Sequence, residues 1–132
     1  MDWTNAQAPT LDEIEALARE AFASLPEEFR ALTGTVVFMV QDFPDEDVIE
    51  DMELETAFDI LGLFQGPDLA DLEGGSASHR QTMIFLYRRP ILDYWAEYEE
   101  PLGHIVRHVL IHEIGHHFGL SDDDMEAIEE RE

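Results

Sequence analysis

The chain has 132 residues, of which 45% are hydrophobic, 31 are acidic and 7 are basic, giving a net charge of −24. The length predicts a single domain over residues 1–132, with room for a hydrophobic core, and the apolar content excludes a disordered chain. The charge repels phosphate backbones and anionic lipids, so we expect neither nucleic acid nor a membrane surface as a partner. It would favour a cationic peptide or protein, although the simpler interpretation is that the acids keep the protein soluble.

The sequence lacks the features of an exported or membrane-inserted chain. Its first residues, MDWTNAQAPT, have no basic segment followed by an apolar one, as a secretory signal would. No apolar run approaches the roughly 18 residues of a membrane-spanning helix. There is no cysteine, which excludes disulfides and thiolate metal ligands. We therefore expect a cytoplasmic protein in which only His, Asp and Glu are available to bind a metal.

The first half of the chain predicts a helix followed by two strands. Residues 10–24 carry apolar side chains at helical spacing, and Thr10 with Glu13 has the pattern of a capping box. Residues 34–40 form a continuous apolar run rich in β-branched side chains, which predicts a strand buried on both faces. The shorter apolar run at residues 60–64 predicts a second strand.

The middle of the chain predicts a loop, a third strand and a further helix. Residues 68–79 contain the sequence GGSAS and predict a flexible loop, which is either a plain linker or a rim over a cleft. Residues 82–88 form another apolar run and predict the third strand. Pro90 is expected at the first position of a helix that continues to about Glu100.

The last part of the chain predicts a long core helix and a short acidic one. Residues 101–118 carry an apolar stripe at helical spacing, so this helix belongs to the core. Residues 122–130 predict a final acidic helix with Ser121 as its N-cap. The mixture of helices and strands predicts an α+β fold, with a small mixed sheet, a backing helix and the long helix across the edge of the sheet.

The most informative stretch is residues 112–122, HEIGHHFGLSD, which has the form HExxHxxGxxD. His112 and His116 leave one face of a helix about 6 Å apart along its axis, as two ligands of one tetrahedral zinc require. Glu113 points about 100° away and can reach a water on the open side of the metal, where a carboxylate acts as general base. Gly119 can adopt a positive φ and end the helix, which delivers Asp122 as a third ligand.

These residues also have purely structural interpretations. His112 and His116 could be ordinary polar residues on an amphipathic helix. The run of acids after Ser121 has the composition of a helix start, with an N-cap and acids in the first turn. For Asp122 the roles of ligand and helix start are partly compatible.

Three further histidines lie near the motif. His104 and His108 precede His112 by two turns and one turn on nearly the same helix face. His108 could be taken as another ligand, but three such groups on a straight helix span about 12 Å, more than one zinc can bridge. We therefore expect His108 to have a supporting or structural role. His117 is turned about 100° from His116 and is expected to face solvent or to pack.

The motif resembles the long zinc signature of metzincin-type metallopeptidases, in the variant with Asp where most members carry a third His. The wider chain resembles the small bacterial proteins called minimal zincins. The matching segments are residues 34–40 (GTVVFMV), 60–66 (ILGLFQG), 82–95 (TMIFLYRRPILDYW) and 112–125 (HEIGHHFGLSDDDM). The resemblance implies a zincin-like fold with one Zn²⁺ per chain, held by His112, His116 and Asp122, and with Glu113 as the general base.

The resemblance further implies hydrolysis of peptide bonds in a peptide or protein substrate. In zincins the substrate pairs with an edge strand beside the catalytic helix, and residues 60–64 and 82–88 are both candidates for that strand. The negative charge of an Asp ligand should weaken the zinc as a Lewis acid, so we expect modest turnover. Two alternatives remain: a catalytically weak or inactive zincin-fold protein that binds metal for regulation, and an acidic interaction protein without metal.

Overall fold

The computed structural model describes residues 3–66 and 82–131. Three strands and six helices are described there, and the loop predicted over residues 68–79 lies outside these ranges. The strands are β1 (Val36–Gln41), β2 (Gly62–Gln65) and β3 (Thr82–Tyr87). The helices are α1 (Leu11–Ala23), α2 (Glu27–Arg30), α3 (Glu46–Asp51), α4 (Arg88–Tyr98), α5 (Leu102–His117) and α6 (Asp122–Glu130).

The three strands form one mixed sheet in the order β1-β3-β2. β1 runs parallel to β3, with Val36 opposite Thr82, whereas β2 runs antiparallel to β3, with Phe64 opposite Ile84. Helix α1 packs against β1 and α5, and α5 packs against β2. This small mixed sheet with its helices confirms the predicted α+β class.

The central strand is β3, because it has a partner on each side. The suggestion that residues 82–88 could be the edge strand for a substrate is therefore wrong. Its side chains explain the central place: Ile84, Leu86 and Tyr87 are fully buried, as expected of a strand covered on both faces. Of the two candidates, β2 is the strand with a described partner on one side only.

The start of β2 differs from the prediction by two residues. The Asp59 side chain accepts hydrogen bonds from the backbone N–H groups of Glu55 (2.8 Å) and Thr56 (3.1 Å), which holds the chain in a turn just before the strand. The strand then begins at Gly62, where a Cβ would lie 2.9 Å from the Phe85 carbonyl oxygen. Local apolar character placed the strand correctly, but the turn and this close approach set its first residue.

The start of α4 is also earlier than predicted. The helix begins at Arg88, so Pro90 is its third residue rather than its first. This position is still compatible with proline, because the first four N–H groups of a helix have no partner within the helix.

Helix α5 supplies much of the core, as its apolar stripe predicts. Buried residues on it are Ile105, Val106, Val109, Leu110, Ile111 and Ile114. At the other end of the chain, the capping box of α1 is present: Glu13 N–H donates to Thr10 Oγ1 (3.1 Å) and Thr10 N–H donates to Glu13 Oε1 (2.9 Å). No helix among the described residues is long and apolar enough to cross a membrane.

Candidate metal centre

Helix α5 carries a row of imidazoles along one face. The rings of His112 and His116, the predicted pair of ligands, have centroids 5.6 Å apart and are nearly perpendicular. The rings of His108 and His112 are closer, with centroids 4.0 Å apart. His112 is partly buried, while His108 and His116 are exposed. The four-residue spacing thus places three imidazoles on the same solvent-facing side, with His112 in the middle.

Glu129 of α6 lies against the first two of these imidazoles. Its Oε1 contacts Nδ1 of His108, and its Oε2 is 3.7 Å from Nε2 of His112. The ligand atoms of these three residues all lie within 4.8 Å of one another. Among residues 3–66 and 82–131, these three side chains form the one group of His, Asp or Glu that is compact enough to hold a metal ion. His116 and Asp122 are not members of it.

Glu129 and His108 were not predicted to meet at this face. A signal does exist in the sequence, since Glu129 follows Asp122 by seven residues, which is about two turns of helix and therefore the same face. The motif does not reveal it, because only the packing of α6 on α5 decides which acid on that face lies next to which histidine.

Asp122 is the first residue of α6 and is exposed. The expected turn before it is present, because Gly119 has a φ of 76°. The capping box of α6 uses its neighbours: Asp124 N–H donates to Ser121 Oγ (3.1 Å) and Ser121 N–H donates to Asp124 Oδ2 (3.3 Å). The carboxylate of Asp122 therefore has no part in that box.

Glu113 follows His112 on α5, and its side chain reaches strand β2 at the edge of the sheet. Burial raises the pKa of its carboxyl to about 7, and a hydrogen bond from the Phe64 backbone N–H works in the other direction. Near neutral pH such a carboxyl gains and loses its proton easily, which suits a group that accepts a proton and then returns it. The bond from β2 also restricts where the carboxylate can point.

His117 packs against the same strand. Its ring lies over Phe64, with centroids 4.2 Å apart, and beside Phe118 at 5.1 Å. Of the two expected roles, solvent exposure or packing, the structure favours packing. The ring therefore helps hold α5 against β2, on the side of the helix where Glu113 meets the strand.

A cleft of about 880 Å³ runs along this part of the molecule. Its walls include His108, His112, Glu113 and Glu129, with Leu61 and Gly62 before and at the start of β2. This volume is within the usual range for a ligand-binding cleft. The imidazoles of His108 and His112, the partly buried carboxyl of Glu113 and the start of β2 therefore open onto one space, which His116 and Asp122 do not line.

The side chains on this face fit a zinc ion by their chemistry. Imidazole nitrogens and carboxylate oxygens are both ligands that zinc accepts, and three protein ligands leave a position for water. His112 is flanked by an imidazole on either side along α5, and both Asp122 and Glu129 belong to the neighbouring helix α6. The donor set is therefore sufficient for a three-ligand site.

Comparison with known proteins identifies the family of the chain. The model of the zincin-like metallopeptidase family matches residues 33–131, well over half of the chain, so the chain belongs to that family. A search of curated proteins finds no match to it. The matched residues include the three strands and both helices that carry the candidate ligands.

Proposed function

Starting from membership of the zincin-like metallopeptidase family, we propose that the chain is a zinc-dependent peptidase in which Glu113 is the general base. The observation that carries the proposal is the position of Glu113. Its carboxyl has a raised pKa, lines the cleft and immediately follows His112 in the sequence. A carboxylate in this place can take a proton from the attacking water and pass it to the leaving amine.

The proposed ligands are His112, His116 and Asp122, with one zinc per chain. Their chemistry and their spacing in the HExxHxxGxxD motif support this assignment. When bound, zinc supplies Lewis-acid polarisation of the scissile carbonyl and of the attacking water. The Phe64 N–H holds the carboxylate of Glu113 at the edge of the sheet, so that Glu113 is oriented before substrate arrives.

Strand β2 is the proposed binding edge for the peptide. It pairs with β3 on one side, and it begins in the wall of the cleft. A peptide added beside such a strand gains backbone hydrogen bonds with little demand on its sequence. The net charge of −24 favours a peptide with Lys or Arg side chains among the candidate substrates.

Metal binding and peptide hydrolysis can be tested separately. The first experiment measures zinc content and affinity for the wild type, His116→Ala and Asp122→Ala, with Asp123→Ala as the matched control. Asp123 is an equally exposed acid in the first turn of α6 and is not part of its capping box. One zinc per chain, bound more weakly by His116→Ala and by Asp122→Ala and with unchanged affinity by Asp123→Ala, is the expected result.

The second experiment compares Glu113→Gln with the wild type on a library of peptides. The variant should keep its zinc and lose hydrolysis, because Gln retains the shape of Glu but cannot accept the proton. Zinc binding without hydrolysis in the wild type would instead support a regulatory metal-binding protein with a zincin fold. Loss of zinc from Glu113→Gln would contradict the role of general base.

A further inference from the structure

The row of histidines on α5 contains two overlapping pairs with the same spacing. His108 and His112 form the first pair, His112 and His116 form the second, and His112 belongs to both. A His pair one helical turn apart suits two ligands of one zinc, and this holds equally for each pair. Only the second pair is part of the HExxH motif.

Helix α6 runs back along α5 and brings an acid, Glu129, against the first pair. Near the C-terminal end of α5, Met125 packs on Gly115, where a Cβ would lie 2.5 Å from the methionine sulfur. Further back along α5, Arg107 donates to the Glu129 carbonyl oxygen (2.9 Å) and the Ile128 carbonyl oxygen (3.2 Å). Antiparallel packing therefore brings the end of α6 beside the first His pair and its beginning towards the second.

Glu129 is held in place by contacts that do not involve a metal. The carbonyl groups at the C-terminus of a helix lack partners within the helix. The Arg107 guanidinium donates hydrogen bonds to three carbonyl oxygens here, those of Ile128, Glu129 and, at 2.6 Å, Arg131. This side chain of α5 thereby fixes the last turn of α6. The carboxylate of Glu129 then reaches both His108 and His112.

The three groups need little rearrangement to bind an ion. Ligand atoms about 2 Å from a tetrahedral zinc are about 3.4 Å from one another. The ligand atoms of His108, His112 and Glu129 are already within 4.8 Å of one another, and rotation of the side chains can close the difference without movement of the helices. Two imidazoles and one carboxylate are also the same donor set as the proposed catalytic site.

We propose that His108, His112 and Glu129 form a second position for a divalent cation, which shares His112 with the proposed catalytic position and competes with it for the same ion. An ion at this position lies one helical turn from the position served by His116 and Asp122. Zinc bound at the second position is therefore not at the catalytic position. The rate of hydrolysis then depends on the fraction of chains whose zinc is at the catalytic position. The position itself does not require that Asp122 is a ligand.

The test is a zinc titration of a variant in which the catalytic position is disabled and His112 is kept. In His116→Ala/Asp122→Ala, a chromophoric chelator that competes for zinc should report one ion per chain with micromolar or tighter affinity. Adding Glu129→Gln or His108→Ala to this double variant should weaken binding by on the order of 10-fold to 100-fold or more, since each removes a ligand. ¹⁵N-labelled imidazoles should show zinc-dependent shifts at His108 and His112.

Matched controls come from the same helices. Glu130→Gln changes an exposed acid next to Glu129, and His104→Ala removes an imidazole from the same cleft one turn before His108. Neither belongs to the three-residue group, so neither should change zinc affinity by more than about twofold in the double variant. All changed residues are exposed or partly exposed, and circular dichroism confirms that each variant is folded.

Two results would overturn the second position. One is a folded His116→Ala/Asp122→Ala variant that binds no zinc, and the other is zinc affinity that Glu129→Gln leaves unchanged in it. Either outcome leaves the proposed peptidase intact if the wild type binds one zinc through His116 and Asp122. Conversely, zinc binding by the double variant together with an inactive wild type would support the second position and contradict the peptidase.

Discussion

Replacement of Gly115 by Ala tests the close packing of α6 on α5, which places both candidate acids. The new Cβ would lie 2.5 Å from the sulfur and 2.7 Å from Cγ of Met125. Met125 is fully buried, so its side chain cannot swing into solvent. Gly103 is a matched control in the same helix, because nothing lies within 4 Å of a Cβ added there.

Two opposing effects set the expected change in unfolding free energy for Gly115→Ala. Gly→Ala within a helix gains roughly 1 kcal/mol in helix propensity, whereas overpacking a well-filled core costs about 1 to 3 kcal/mol. Gly115→Ala should therefore lower the free energy of unfolding by about 0 to 2 kcal/mol. Gly103→Ala should instead raise it by about 0.5 to 1 kcal/mol. In a Met125→Ala background the clash disappears, and Gly115→Ala should become stabilising.

The assay is urea unfolding followed by circular dichroism, with chelator present so that metal binding does not contribute. The four proteins of the Gly115 and Met125 double-mutant cycle give a coupling energy, expected at about 1 to 3 kcal/mol. Equal stabilisation by Gly115→Ala and Gly103→Ala would refute the reasoning. So would an unchanged effect of Gly115→Ala in the Met125→Ala background, because the cost would then come from elsewhere.

Three further predictions concern the cleft and the first helix. Without zinc, the raised pKa of Glu113, about 7, means that the folded chain retains a proton that the unfolded chain releases. The difference in unfolding free energy between the wild type and Glu113→Gln should therefore fall by on the order of 1 to 3 kcal/mol as the pH rises from 5 to 8. A difference that does not change with pH would show that the carboxyl of Glu113 is well solvated. Gly62→Ala should cost about 1 to 3 kcal/mol in urea unfolding, since its Cβ would meet the Phe85 carbonyl oxygen at 2.9 Å and Val109 at 2.8 Å. Thr10→Ala removes the capping box of α1 and should cost about 1 kcal/mol, whereas unchanged thermal stability would mean that the end of the helix is frayed.

The sequence by itself predicted the elements whose signals are local. The apolar runs of β1 and β3, the capping box at Thr10 and the apolar stripe of α5 each occupy a short stretch of chain, and each element is present close to its predicted bounds. The same holds for the turn at Gly119, which has positive φ. The four-residue spacing of His112 and His116 in HExxHxxGxxD also predicts that they share one helix face, because helical periodicity alone determines which residues share a face.

Only the tertiary structure decided what depends on contacts between distant segments. The central place of β3, the start of β2 at Gly62 and the raised pKa of Glu113 all arise from neighbours that no local pattern specifies. The same reason applies to Glu129: its position beside His108 depends on how α6 docks, through Arg107 and Met125. Periodicity determines which face of a helix a residue occupies, whereas the packing of two helices determines which residues meet across it.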